Sequence, residues 1–207
     1  MTLPLMHTVN VVRKQPVVTF ISAADGDGPF TLTEANPRPD RWIVFMVAGT
    51  TTASYTMTGC TFNGIPASSI VTIGNTSFAL ACVPTGTSIT VTPTYSTAPG
   101  GKLAVYSVVG ELESPVFSSP DYATAAGTVY NTVTMIDRGI VFSALWSTND
   151  NNAFTWSSPM VRTVNDTSLG TSRGASMAYR ENTPNGLYTL SCSTGAGTMR
   201  MASVVLR

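Results

Sequence analysis

Few residues in this sequence could do chemistry. His7 is the only histidine among 207 residues, so a Ser-His-Asp triad would have to be built on it, and a zinc site of several histidines fails by count. It stands near the N-terminus, away from any nucleophile-bearing turn, and reads as a solvated or interface histidine. A carboxylate pair of the glycosidase kind needs no histidine. The candidates are Glu111 with Glu113, and Asp150 with Asp166. Neither stands out from a polar surface loop. Asp25-Gly26-Asp27-Gly28 resembles part of a calcium loop but lacks the further spaced oxygens and the closing Glu, so it reads as a turn. Cys60, Cys82 and Cys192 are odd in number and contain no Cys-x-x-Cys pair. They leave room for one disulfide but read first as small buried hydrophobes. No catalytic residue, metal or cofactor is expected.

One constellation suits a binding surface. Trp146 and Trp156 flank the polar loop that carries Asn149, Asp150 and Asn152, while Tyr179 and Arg180 precede a second polar stretch. A flat aromatic face beside planar hydrogen-bonding groups is what a sugar ring requires. The competing reading places both tryptophans at the rim of a core.

The elements that would position these residues follow from composition. The chain has 32 Thr and 21 Ser, and they alternate with Val, Ile, Leu, Tyr and Phe in short runs separated by Gly, Pro and Asn. Such alternation is the pattern of half-buried strands. Charged residues make up 11%, far below the usual quarter, and net charge is +0. Only Lys14 and Lys102 are lysines, and no basic stripe exists to neutralise phosphates, so nucleic-acid binding is not expected. No run is long enough for a membrane helix, and the first seven residues lack the basic and apolar regions of a secretory signal.

About a dozen strands and no amphipathic helical window give an all-β, antiparallel two-sheet sandwich. The strongest strand, Arg41 to Ala48, is apolar almost throughout, so it should be covered on both faces. Lys102–Val109 is another near-continuous run, and the turn Asp137-Arg138-Gly139 leads into a strand at Ile140–Trp146. Asn63-Gly64, flanked by apolar residues, signals a hairpin. Residues 110–127 read as a long surface connection, leaving 16–207 as a single sandwich domain. Residues 1–15 form an extended arm. It has no reason to fold alone and could lie across a partner through Pro4, Leu5, Val9, Val11 and Arg13.

Several segments together resemble the jelly-roll-like β-sandwich of tailed-bacteriophage virion accessory proteins. They are Arg41–Ala48, Tyr55–Thr58 leading to Phe62–Ala67, Ala104–Gly110, Asp137–Ala144 followed by Phe154-Thr155-Trp156, and the closing strand Met199–Leu206. The resemblance spans roughly residues 17–207 and lies in order and spacing rather than in a strict motif. It implies a non-enzymatic virion component that decorates a capsid, or forms part of a fibre or tail, with other virion proteins as partners. It also suggests a homo-oligomer, with a trimer as the expected state. Low charge agrees, because buried interface cores are depleted of charge. The alternative is a module on the same kind of particle that binds a host surface glycan through the Trp146 constellation.

Overall fold

In the computed structural model, the described residues are 15–33, 36–49, 55–110, 112, 116–117, 121–123, 127–135, 137–148, 153–166, 173–183, 185–195 and 197–206. They hold 18 strands and no helix, and every strand pair is antiparallel.

The first half contains β1 (Val17–Gly26), β2 (Phe30–Thr33), β3 (Arg41–Ala48), β4 (Met57–Phe62), β5 (Ile65–Pro66), β6 (Ser69–Ile73), β7 (Thr76–Cys82), β8 (Ser88–Tyr95) and β9 (Gly101–Val109). They form an inner sheet in the order β1-β9-β3-β7-β6 and an outer sheet in the order β2-β8-β4-β5. The short β5 belongs to one sheet and β6, just after it, to the other. This is a corner at which the chain changes layers. Asn63 and Gly64 form the two-residue turn of the β4–β5 hairpin, with φ of 51° and 79°. Positive φ at both central residues is what a type I′ turn demands, and Asn-Gly supplies it.

The second half contains β10 (Val116–Phe117), β11 (Asp121–Ala123), β12 (Gly127–Met135), β13 (Gly139–Ser147), β14 (Thr155–Trp156), β15 (Val161–Asp166), β16 (Gly174–Thr183), β17 (Gly186–Thr194) and β18 (Met199–Leu206). Its inner sheet runs β10-β18-β13-β16-β15, with β11 also on β18, and its outer sheet runs β12-β17-β14. The two orders correspond, except that the short β5 has no counterpart. With β10 and β11, which both pair with β18, counted as one interrupted strand, in each half the first strand pairs with the last, the last with the third, and the third with the antepenultimate. Each outer sheet joins the second, penultimate and fourth strands. This is a jelly-roll order, used twice.

The all-β antiparallel sandwich expected from the sequence is found, but the described residues form four sheets where two were expected. Three cores separate the layers. One, with Ile43, Phe45, Val47, Phe62 and Ile89, lies between the first outer and inner sheets. The central one joins the two inner sheets through Val44, Met46, Tyr106, Phe142, Trp146 and Val204. The third, with Val141, Leu145, Leu190, Cys192 and Val205, lies under the second outer sheet. The reason is visible in β3, β9, β13 and β18. They are buried along nearly their whole length on both faces, and a strand apolar on both faces needs a layer on each side. A two-sheet sandwich leaves every strand one wet face.

The inner sheets meet with pseudo-two-fold symmetry. β3 approaches β13, β7 approaches β13 and β18, and β16 approaches β3 and β9. Exchanging β3 with β13, β7 with β16 and β9 with β18 leaves that set unchanged, as in an isologous dimer interface. Ala48, Ala104, Ala144, Ala175 and Ala202 lie among the large side chains there and let Tyr106, Phe142 and Trp146 interdigitate.

Candidate functional site

The fold divides the four described residues of the sugar-binding constellation between two faces of one inner sheet. Trp146 is 6% exposed and sits in the central core. The Arg200 guanidinium carbon lies 5.7 Å from its ring centroid. Tyr179 projects to the same side of the β13–β16 sheet, against Tyr106 and Phe142. Trp156 instead belongs to the outer layer and packs on the third core. Its indole N–H donates to Ser176 Oγ at 2.8 Å, and that hydroxyl donates to the Val164 carbonyl at 2.7 Å. Arg180 points the same way as Ser176, with its guanidinium 4.8 Å from the Tyr188 ring centroid. Trp146 and Tyr179 therefore occupy one face of an inner sheet and Trp156 and Arg180 the other. Asn149, Asp150 and Asn152 lie outside the described residues, as do His7, Glu111, Glu113 and the arm residues Pro4, Leu5, Val9, Val11 and Arg13.

The acidic turn is used internally. Asp25 pairs with Lys102 Nζ at 2.8 Å. Asp27 accepts a hydrogen bond from the Gly100 backbone N–H and so ties the β8–β9 turn to the end of β1. Among the described residues no group of three His, Cys, Asp or Glu is placed to hold a metal.

All three cysteines are free thiols. Burial pushes the Cys60 and Cys192 thiols up to about 12. Only the thiolate is nucleophilic, and on the order of one part in 10,000 is ionised at pH 8, so these thiols react slowly. Cys82 is half-buried. Brief iodoacetamide treatment of the native protein at pH 8 should therefore give one adduct, at Cys82, and three after denaturation. Mass spectrometry of the peptides reads this directly, and rapid native labelling of Cys192 would contradict the burial.

What remains is surface, and its chemistry is uniform. No charged side chain or histidine occurs in β2, β4, β5, β8, β12, β14 or β17, the seven strands of the two outer sheets. Alternation decides which residues face out. In β8 the buried Ile89, Val91 and Pro93 alternate with Ser88, Thr90, Thr92 and Thr94. In β12 Val129, Asn131, Val133 and Met135 point in, while Tyr130, Thr132 and Thr134 point out. Hydroxyls meet across strands, with Thr31 and Thr90 oxygens 2.8 Å apart and Thr132 and Thr189 oxygens 3.2 Å apart. Such pairs add modestly to sheet stability. Two large apolar side chains interrupt the second face, Tyr130 at 54% and Leu187 at 75% exposure. The sequence reading missed these faces as a unit, although the alternation that produces them was in plain view.

No known protein-family model matches the chain, and no curated protein matches it.

Proposed function

We propose that this chain is a non-enzymatic structural subunit of a bacteriophage particle, a capsid-decoration, fibre or tail component that assembles with its own copies or with other virion proteins. The observation that carries the assembly part is the pair of outer sheets without a charged strand residue. A free soluble surface normally intersperses charges of both signs, whereas the buried centre of an interface is depleted of them. The inner sheets are already consumed by each other, so the outer faces and sheet edges are what the molecule offers a neighbour. The particle assignment rests on the sequence resemblance alone.

Sedimentation velocity over a range of concentrations tests the assembly reading, together with Thr92→Arg on the first outer face and Thr132→Arg on the second. The wild type should sediment as an oligomer. At least one variant should shift to a smaller species with its thermal midpoint unchanged, because each position is exposed. A wild-type monomer at every concentration, or oligomers indifferent to both variants, would remove the basis for the proposal.

A further inference from the structure

The two halves differ most sharply at one place inside their cores. Cross-strand pairing and facing direction match Phe45 with Ser143, Val105 with Ser203, and Leu32 with Asn131. Phe45 pairs with Val105 as Ser143 pairs with Ser203, and Leu32 pairs with Ile89 as Asn131 pairs with Leu190. In the first half this trio is apolar and belongs to the core beneath the outer sheet. In the second half it is polar and still buried. The Asn131 amide donates to Ser203 Oγ at 3.2 Å, and the Ser203 and Ser143 hydroxyl oxygens lie 2.8 Å apart. Asn131 comes from the outer sheet and the serines from the inner one, so the network spans the layers.

We infer that this network matches the second outer sheet to its own inner sheet and excludes the first half's inner sheet, whether in the same chain or in a second copy. Tandem domains of one topology are prone to misassembly and exchange of equivalent elements. Here every strand but β5 has a counterpart in the other half, so the strand order does little to tell the two apart. If β12, β17 and β14 settled on β3 and β9, Asn131 would face Phe45 and Val105. Its amide would then meet apolar side chains in place of the Ser203 hydroxyl and lose that hydrogen bond inside the core, a disfavoured state. In the correct pairing the amide is satisfied. The reverse error is less disfavoured, since Ser143 and Ser203 still bond each other beneath Leu32. The discrimination therefore resides mainly in Asn131, much as one buried Asn sets register in a coiled coil.

The test is refolding of the full chain from guanidinium at several protein concentrations, scored as the fraction that regains native hydrodynamic size. The variant is Asn131→Leu with Ser143→Ala and Ser203→Ala, which removes all three polar side chains of the network. Leu190→Ala, a cavity in the same core with the network kept, serves as control. The triple variant should return a several-fold lower native yield that falls as concentration rises, beyond the loss shown by Leu190→Ala at a comparable denaturant midpoint. A yield equal to wild type, or a loss no greater than the control's, overturns the inference.

Discussion

Arg41→Ala is expected to destabilise the fold by about 3 kcal/mol, seen as a lower guanidinium midpoint with an unchanged slope. Arg41 opens β3 and is fully buried, the largest side chain among the described residues to be so. Its Nε donates to the Val83 carbonyl at 2.8 Å, and its Nη2 to the carbonyls of Thr85 and Gly86 at 2.7 and 2.9 Å. One planar fork thus collects the carbonyls of the β7–β8 turn, which the chain must make to pass from the inner sheet to the outer one. Hydrogen bonds from a charged donor contribute about 1.5–3 kcal/mol each, but not additively. The Thr85 and Gly86 carbonyls would find water after the substitution, because that end of the turn is exposed. The Val83 carbonyl would not, since its bond is buried. Arg41→Met fills the volume and separates lost bonds from the cavity. Arg41→Lys keeps the charge but presents a point-like ammonium in place of the fork, so it should recover only part of the loss. A change below about 1 kcal/mol for Arg41→Ala would mean that the backbone alone holds the turn.

Tyr106→Ala should cost about 4 kcal/mol, the upper range for truncating a buried aromatic, and should also split the unfolding transition. Tyr106 projects from β9 into the central core. Its ring centroid lies 5.5 Å from that of Phe20, 5.0 Å from Phe142 and 5.9 Å from Tyr179. Its hydroxyl meets Thr163 Oγ1 on β15 at 2.6 Å. Phe142, Tyr179 and Thr163 all belong to the other half, so this side chain couples the two sandwiches. Calorimetry of the wild type should show one transition in which the halves unfold together. In Tyr106→Ala the halves should melt at separate temperatures. Tyr106→Phe keeps the ring and should lose only about 1 kcal/mol, the ordinary worth of one hydrogen bond, with a single transition retained. If Tyr106→Ala lowered the midpoint yet unfolded in one step, the central core would not depend on this cluster for its cooperativity.

Strand identity was largely legible in the residues. The alternation in Ser88–Tyr95 puts Ile89 and Val91 inward and the threonines outward, as found, and the Asn63-Gly64 hairpin stands where its turn chemistry places it. Arg41–Ala48 is covered on both faces, as its apolar run requires. The four layers were implied by that same run, since a strand buried on both sides cannot belong to a simple two-sheet sandwich. The recurring strand order also has an echo in the sequence. Asp40-Arg41-Trp42-Ile43-Val44-Phe45 and Asp137-Arg138-Gly139-Ile140-Val141-Phe142 share five of six residues. The binding constellation was not legible. Trp146 and Trp156 flank one loop in sequence but enter different layers, because the chain leaves the inner sheet after β13 and reaches the outer one at β14.

The shared hexapeptide shows where sequence stops deciding. Ile43 faces the outer core of its half, yet Ile140 faces the central core. The matched residues are one position out of structural register. Arg138 takes up the difference in a turn at φ of 63°, and the β13–β16 ladder shifts register between Gly139 and Val141. Arg41 is consequently buried in the β7–β8 turn while Arg138 is exposed beside Asp137. A one-residue slip exchanges the two faces of a strand. Where hydroxyls alternate with apolar residues, as in β8 and β12, that slip would bury threonines, so the sequence alone determines which face is wet. Where both faces are buried and mostly apolar, as in β3 and β13, either register buries a similar amount of apolar surface. There the packing of one inner sheet against the other made the choice, because only neighbouring side chains can distinguish two similarly apolar faces.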